Sequence, residues 1–223
     1  WNWTAAADLT TEGTEHYYMH VGTSPGASNL ANWSLYINDT SQSPPFTYSD
    51  FTIEWWSNMD LAGQSMFPRL FDVGSYNNET PGISYEPAYI IVWGAGASDR
   101  ASASYITHNT WTHWAIERHL GVIKLYKDGV NILNTNNIGP LALKDTTDPL
   151  TIGTGSGNIW NGKIANFHWI KGYAKYQGNF APSLHPVTPG LGSKLLLLAM
   201  DSGTALADTV GAKVPTVNGT VSY

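Results

Sequence analysis

The stretch Trp111–Leu133, WTHWAIERHLGVIKLYKDGVNIL, constrains the fold more than any other part of the chain. Two segments rich in apolar residues flank a short polar break that ends in Gly121, and glycine supplies the positive φ that a tight reversal between strands needs. A second turn pair follows at Asp128-Gly129. A helix over Thr112–Leu120 is the alternative, but the turns and the β-branched residues that follow favour strands. The stretch therefore predicts three consecutive antiparallel strands.

The same pattern of short apolar segments and turn residues continues along most of the chain. We predict strands at residues 16–21, 31–37, 51–56, 69–73, 89–93, 150–153, 160–170, 195–199 and 217–223, with a weaker strand at 102–106. Residues 75–87 are predicted to form a polar loop, 94–98 a Gly/Ala turn and 154–158 a hairpin turn. No segment predicts a helix of normal length. Many short strands with regular turn signals indicate an all-β fold, an antiparallel β-sandwich.

Composition excludes several classes of partner and site. Hydrophobic residues make up 42% of the 223 residues, enough for a sizeable core, and charged residues make up 13%, about half the average for globular proteins. The formal net charge is −6 without a basic patch, which argues against nucleic acid as a partner. The lack of cysteine excludes disulfides and thiolate metal sites. No apolar run is long enough for membrane insertion. Because Trp1 begins the chain, we expect a processed chain or a segment of a longer protein.

The three predicted strands at 111–133 carry the pattern W-x-H-x-A-x-x-R … I-x-L-Y-x-D-G, which resembles the central hairpin of laminin-G-like domains in the concanavalin A-like lectin/glucanase group. The residues that carry this match are Trp111, His113, Ala115, Arg118, Leu125, Tyr126, Asp128 and Gly129. Further strands of that family are similar to FTIEWW at 51–56, FPRLFDVG at 67–74, PLTIG at 149–153 and NGKI at 161–164. The resemblance implies a concanavalin A-like jelly roll.

The segment Ile170–Pro182, IKGYAKYQGNFAP, is the most specific part of this resemblance. It is similar to a KG-x-A-x-Y-x-x-x-F-x-P segment of laminin-G-like domains in phage and marine virus structural proteins. The match covers residues 46–223 clearly and 1–45 weakly, which implies one domain over 1–223. The chain departs from the family at Ala165, where Asp is usual, and at His168, where Arg is usual. No role of an Asp–Arg pair is therefore carried over.

The resemblance implies a non-enzymatic domain of a virion-associated protein, in a capsid, fibre or tail, and hence an extracellular or virion-surface location. Its predicted partners are host-surface carbohydrate, bound for attachment, and other virion structural subunits, in an oligomer or a tandem array. One alternative is a purely structural module that mediates contacts between virion subunits. A second alternative is a degenerate glycan hydrolase.

Hydrolysis of a glycan on this fold would need two carboxylates, an acid and a nucleophile or base, held about 5–10 Å apart. No strand carries alternating carboxylates that would place such a pair on one face. We interpret Glu54 as a solvated residue on the outer face, and Glu117 stands alone in the sequence. The seven histidines show no metal-binding spacing. The sequence therefore predicts no catalytic residues.

Exposed aromatic rings beside amides bind sugars by stacking and hydrogen bonding. On this ground the candidate ligand-binding residues are Trp56, Trp93, Trp160, Asn77 and Asn78. For the aromatic residues, packing against a neighbouring domain is an equal alternative. Relatives often bind one calcium ion at the rim of the sandwich, and calcium prefers oxygen ligands. The candidate calcium ligands are Asp72, Asp99, Asp145 and Asp148, with solvated loop acids as the alternative interpretation.

Overall fold

The computed structural model describes residues 4–5, 17–23, 32–37, 50–60, 67–73, 82–94, 97–135, 150–152, 154–155, 158–184, 193–198, 207–208 and 216–218. Within these ranges the chain forms β-strands and one short 3-10 helix, Ala103–Tyr105. Within the described residues, no helix is long and apolar enough to cross a membrane.

The strands are β1 (Thr4–Ala5), β2 (Tyr17–Thr23), β3 (Asn32–Ile37), β4 (Phe51–Met59), β5 (Arg69–Val73), β6 (Gly82–Tyr85), β7 (Tyr89–Gly94), β8 (Ala97–Ser102), β9 (Trp111–His119), β10 (Val122–Lys127), β11 (Val130–Thr135), β12 (Leu150–Ile152), β13 (Thr154–Gly155), β14 (Asn158–Ile159), β15 (Gly162–Lys171), β16 (Ser193–Leu198), β17 (Ala207–Asp208) and β18 (Thr216–Asn218).

Hydrogen-bonded pairing arranges these strands in two sheets, in which all strand pairs are antiparallel except for a one-residue parallel pairing between β14 and β5. Sheet I follows the order β11-β10-β9-β4-β15-β16-β17. Sheet II follows the order β8-β7-β6-β5-β12-β3-β18. Strand β2 pairs with both β15 and β3 and so connects the two sheets at one side. The prediction of an all-β antiparallel sandwich is confirmed.

Aromatic side chains from the two sheets meet in one hydrophobic core. Trp55 of β4 lies edge-on to Phe71 of β5, with ring centroids 5.5 Å apart, and stacks on Phe167 of β15 at 6.4 Å. Trp55 and Phe71 are fully buried. Phe51 and Ile53 lie in the same core, whereas Trp56 packs on the opposite face of the sheet, as the alternation along β4 predicts. The burial of these large rings stabilises the sandwich.

The turns of the three-strand unit β9-β10-β11 have the predicted form. Leu120 and Gly121 have φ of 48° and 75°, and Asp128 and Gly129 have φ of 49° and 77°. Both turns therefore place two consecutive residues in the left-handed region, as two-residue hairpins require. The alternative of a helix over 112–120 is wrong, because residues 111–119 form β9.

The predicted strands are wrong in two places. Residues 82–85 lie in the predicted polar loop but form β6, whose four residues, GISY, are all buried. Strand β8 is Ala97–Ser102, and residues 103–105 of the predicted strand form the 3-10 helix instead. Both strands are short and rich in Gly, Ser or Ala, so their hydrophobic alternation is too weak to reveal them. Pairing with neighbouring strands, and not local propensity, determines their position.

The free side of β11 is closed by side-chain amides. The backbone N–H of Asn131 donates to Asn179 Oδ1 at 2.9 Å, and that of Leu133 donates to Asn131 Oδ1 at 3.1 Å. The Asn131 side chain is itself held by Asn134 Oδ1, 2.8 Å from its Nδ2. These N–H groups are therefore unavailable to a further strand, which removes the usual liability of an edge strand at this position.

Replacement of Gly129 by alanine tests how closely the chain packs at the β10-β11 turn. Gly129 has a φ of 77°, and an added Cβ would collide with the carbonyl oxygen of Phe180. We expect Gly129→Ala to lower the free energy of unfolding by more than about 1–2 kcal/mol, the cost of the left-handed conformation alone. Urea unfolding followed by tryptophan fluorescence measures this change.

Gly178→Ala is the matched control, because an added Cβ at Gly178 meets no atom within 4 Å. We expect its free energy of unfolding to stay within about 0.5 kcal/mol of that of the unmodified chain. Equal unfolding midpoints for the two variants would contradict the packing described at Gly129.

Candidate functional site

Two glutamates are neighbours on the outer face of sheet I. Glu54 of β4 pairs with Ala115 of β9, and Thr52 pairs with Glu117, so the glutamates are diagonal neighbours on one face. Such positions lie roughly 7–8 Å apart, and their Cβ atoms are somewhat closer. Glu54 is 1% exposed and Glu117 is fully buried. The interpretation of Glu54 as solvated is therefore wrong, and Glu117 does not stand alone, because the pair forms across two strands and not along one.

Residues 172–184, which we call the strap, run across this outer face. The Glu117 carboxylate accepts hydrogen bonds from the backbone N–H groups of Tyr176 at 2.6 Å and Gln177 at 2.7 Å. It also accepts hydrogen bonds from the hydroxyls of Thr52 at 3.2 Å and Tyr126 at 3.4 Å. Two backbone N–H groups of the strap thus end on one buried carboxylate, which is a charge-assisted and therefore strong arrangement.

Glu54 binds side chains of the strap and of sheet I. Its Oε1 lies 2.9 Å from His168 Nδ1 and accepts from Lys175 Nζ at 2.6 Å, and its Oε2 accepts from the Tyr176 hydroxyl. His113 Nε2 lies 3.6 Å from Oε2. Burial raises the pKa of Glu54, but the histidine and lysine partners lower it by more, so that its pKa lies well below its ordinary value. Glu54 is therefore ionised at neutral pH.

A β-bulge in β15 directs His168 towards Glu54. Ala165 pairs with Trp56 and His168 pairs with Glu54. The two residues between them on β15 therefore lie opposite a single residue of β4, Trp55. Asn166, the first of these two, has a φ of 51°, which the bulge requires. Without the extra residue, the alternation of the strand would point position 168 into the core. The bulge thus places His168 on the outer face, at the position where the resemblance leads one to expect Arg.

Aromatic rings close the remainder of the strap against the sheet. Tyr176 and Phe180 stack with ring centroids 3.4 Å apart, and Phe180 lies edge-on to His113 at 5.6 Å and to Tyr126 at 5.4 Å. The Phe180 backbone N–H donates to Gly129 O at 2.9 Å. A glycosidase needs two carboxyl groups that reach a bound sugar. Both carboxylates of this face are instead bound by the strap. They hold the strap on the sheet, and neither is accessible as an acid or a base.

The structure buries two of the predicted ligand-binding tryptophans. Trp160 is fully buried in the core, so the prediction that its ring faces a ligand is wrong; a bulky ring at this strand entrance packs inward. Trp56 is 8% exposed, and its Nε1 donates to the carbonyl of Ser183 in the strap at 3.3 Å. Trp93 lies on β7, with its side chain outside the described atoms. Asn77 and Asn78 lie outside the described residues.

The predicted calcium ligands are not brought together within the described part of the chain. Asp99 of β8 is half-buried, and its Oδ1 accepts the backbone N–H of Arg100 at 2.8 Å. Asp72 is described through its backbone in β5, and Asp145 and Asp148 lie outside the described residues. Among the described residues, no three His, Cys, Asp or Glu side chains are grouped to hold a metal ion. The calcium site therefore stays a prediction.

Three exposed aromatic residues that the sequence did not single out lie at one end of sheet II. Antiparallel pairing brings the start of β5, the end of β6, the start of β7 and the end of β8 to the same end. Phe67 precedes β5, Tyr89 begins β7 and Tyr105 follows β8 in the 3-10 helix; they are 37%, 41% and 38% exposed. We call these three residues the aromatic rim. No local motif marks them, because only the strand pairing brings them to one end.

Polar groups lie in the segment that holds Tyr105 of the aromatic rim. Residues 103–110 lead from β8 to β9 and are held by the backbone bond from Asn109 N to Met59 O at 2.8 Å. Lys127 Nζ donates to Thr107 Oγ1 at 3.2 Å. Exposed rings beside hydroxyls and amides have the chemistry of a sugar-binding surface.

A family model described as the concanavalin A-like lectin/glucanases superfamily, of laminin G type, matches residues 32–173, which is more than half of the chain. The chain belongs to this superfamily. The resemblance to laminin-G-like domains of the concanavalin A-like lectin/glucanase group is thereby confirmed over these residues. The match includes both glutamates of sheet I, the aromatic rim and the first two residues of the strap. A comparison with curated protein sequences gives no significant match.

Solved structures of the same fold include several at low sequence identity. A Bacteroides ovatus protein, whose description proposes carbohydrate binding, has a TM-score of 0.67 and 18% identity over 94% of this chain and 63% of its own. The binding domain of Paraclostridial Mosquitocidal Protein 1 has a TM-score of 0.52 and 18% identity over 80% of this chain and 44% of its own. This chain thus spans less than two thirds of the length of either structure.

A third structure matches over most of its own length. The heptameric SAP-like pentraxin from Limulus polyphemus has a TM-score of 0.54 and 12% identity over 91% of this chain and 94% of its own. At these identities the likenesses show the fold, a concanavalin A-like sandwich.

Replacement of Glu54 by glutamine tests the charged network beneath the strap. A carboxyl whose pKa is depressed in the folded state stabilises the fold above its unfolded pKa, about 4.3, and loses that contribution as the pH falls further. We expect Glu54→Gln to be less stable than the unmodified chain at pH 7. The difference between them should shrink between about pH 4.5 and pH 3. Urea unfolding at a series of pH values measures it.

Glu86→Gln is the control for this series, because the structure gives the half-buried Glu86 carboxylate no hydrogen bond or ion pair with a described residue. We expect it to follow the unmodified chain over the whole pH range. A Glu54→Gln difference that stays constant from pH 7 to pH 3 would show that Glu54 is not stabilised as an anion.

Proposed function

We propose that this domain binds carbohydrate and does not cleave it. The observation that carries the proposal is the aromatic rim, where Phe67, Tyr89 and Tyr105 expose their rings at one end of sheet II. Apolar faces of sugar rings stack on aromatic side chains, and sugar hydroxyls bond to polar groups beside them. Exposed apolar groups that lie close together often mark interaction sites, and the location of these three rings at one end of sheet II supports a binding surface there.

Phe67 adds a second reason to place the binding surface at this rim. Its φ is 66°, in the left-handed region, and it precedes a proline. A bulky residue in this conformation costs of order 1–3 kcal/mol and is found mainly where function requires its position. The side chain is 37% exposed, so burial of the ring does not offset all of this cost. Contact with a ligand would do so.

The absence of hydrolysis in this proposal rests on the two carboxylates of sheet I. Glu54 and Glu117 are bound by the strap, and neither can reach a sugar while the strap covers them. The B. ovatus protein and the toxin binding domain support a binding role on the same fold. A botulinum neurotoxin binding domain of this fold is also solved in complex with SialylT. None of these likenesses specifies a ligand for this chain.

We further propose that the domain belongs to a virion-associated protein and attaches the particle to host-surface glycans. The resemblance of residues 170–182 to segments of phage and marine virus proteins supports this location. The same residues form most of the strap, so the segment that resembles the viral proteins is also the one that closes sheet I. A module that joins virion subunits is the alternative, and it predicts no affinity for sugars.

Alanine variants of the rim test the proposed function. We expect the 223-residue chain to bind at least one class of oligosaccharide on a glycan array. Tyr89→Ala and Tyr105→Ala should each weaken binding by about tenfold, or 1.4 kcal/mol, because each removes a stacking ring. Isothermal titration calorimetry with the array hit measures the change. Titrations with calcium and with EDTA test in parallel whether calcium is needed.

Tyr173→Ala is the matched control, because Tyr173 is 40% exposed but follows the end of β15 that pairs with Phe51, opposite to the rim. Its affinity should equal that of the unmodified chain. The absence of sugar binding on the array, or an equal loss in all three variants, would overturn the proposed site. Release of reducing ends from a bound polysaccharide would overturn the non-enzymatic assignment.

A further inference from the structure

The sheet that carries the aromatic rim also carries Arg100, the one exposed arginine among the three of this chain. Arg69 and Arg118 are 8% and 1% exposed, whereas Arg100 lies exposed on β8. Arg100 pairs with Ile91, and Ser102 pairs with Tyr89. Because the intervening residues Ile90 and Ala101 lie in the core, Arg100 and Tyr89 share the outer face of sheet II.

The Arg100 guanidinium is held over the ring of Tyr89. Its Cζ lies 5.2 Å from the ring centroid, within the range of a cation–π interaction. This contact restricts a long side chain that would otherwise be mobile. The ring covers the flat face of the guanidinium, and the N–H groups around the edge of the guanidinium remain available to a ligand. A pre-ordered guanidinium loses less conformational entropy on binding a ligand.

The guanidinium has no carboxylate partner among the described residues. Asp99, its neighbour in sequence, uses Oδ1 to accept the backbone N–H of Arg100 at 2.8 Å. Glu54 and Asp50, which form ion pairs with histidine and lysine side chains, lie on or beside β4 in sheet I and not on sheet II, where Arg100 lies. An exposed arginine without an acid partner, fixed on an aromatic ring, is suited to bind a planar anion through two parallel N–H···O bonds.

Hydroxyl groups lie at the same end of sheet II as Tyr89. Ser102 pairs directly with Tyr89, and its Oγ lies 2.8 Å from Ser104 Oγ and accepts the backbone N–H of Ser104 at 3.2 Å. Both serines are exposed. One end of sheet II thus offers a ring for stacking, two hydroxyls for hydrogen bonds and a guanidinium for a carboxylate.

We propose that Arg100, held over Tyr89, binds the carboxylate of an acidic sugar, so that the rim prefers carboxylated glycans to neutral ones. This inference rests on the proposed function and specifies its ligand class. The net charge of −6 gives no long-range attraction for anions. The preference therefore depends on short-range bidentate contact with Arg100 and not on the general field of the protein.

Paired probes that differ in the carboxylate test this inference on the full chain. Trigalacturonic acid is compared with its methyl ester, and sialyllactose with lactose, by isothermal titration calorimetry. The two pairs share the carboxylate and separate uronic from sialic acids as its source. We expect the acid of at least one pair to bind at least about tenfold more tightly than its neutral partner.

Arg100→Lys is the decisive variant, because lysine keeps the charge but lacks the flat, forked guanidinium. We expect it to reduce the ratio of acidic to neutral affinity to within about twofold. Lys124→Gln is the control: it removes one positive charge from sheet I, where Lys124 binds the strap carbonyl of Gln177, and should leave the ratio unchanged. Far-ultraviolet circular dichroism and unfolding midpoints check that each variant is folded.

The outcomes separate this inference from the proposed function. Binding of neutral glycans with no preference for either acid overturns the inference and leaves the proposed function standing. A preference that survives in Arg100→Lys but falls in Lys124→Gln also overturns it, because charge alone would then be the cause. Binding of neither sugar class, or Arg100-dependent binding of an oligoglutamate peptide without any sugar binding, overturns both.

Discussion

The outer face of sheet I depends on two buried glutamate side chains. Glu117 receives two backbone N–H groups of the strap, and Glu54 receives its lysine and tyrosine side chains. Removing a charge from water costs several kcal/mol, which only complete pairing offsets. Each carboxylate therefore requires the strap, and the strap, which has no regular secondary structure, requires the carboxylates. This mutual dependence explains why an irregular segment of thirteen residues has a defined position on the sheet.

Much of the sandwich could be predicted from the sequence, since turn glycines and apolar alternation are local signals. The turns at Gly121 and Gly129 and the inward set of β4 are examples. Strands β6 and β8 were missed because GISY and ASDRAS carry too little apolar alternation. The sequence placed Glu54 in solvent because a carboxylate on a strand is ordinarily exposed. Its partners are separated from it by 114 or more residues along the chain, apart from His113, so no local pattern marks them.

The binding surface was the least predictable part, for a physical reason. Tryptophan was expected to provide it, but Trp160 is fully buried and Trp56 is covered by the strap. In a sandwich, the largest rings contribute most when they are buried between the sheets or beneath a covering segment. The exposed rings of Phe67, Tyr89 and Tyr105 lie instead where strands begin and end, and only pairing between β5, β6, β7 and β8 brings them together. The same fold thus covers the outer face of sheet I with the strap and exposes the aromatic rim at one end of sheet II.

The amide-closed edge of β11 has a consequence for chains that carry several similar domains. Identical β domains linked in one polypeptide can exchange strands during synthesis and become trapped in domain-swapped forms. Exchange begins where one domain offers free backbone N–H groups to another. At β11 those groups are already bonded to Asn131 and Asn179. At this edge, each copy would therefore offer its neighbour two fewer backbone N–H groups with which to pair.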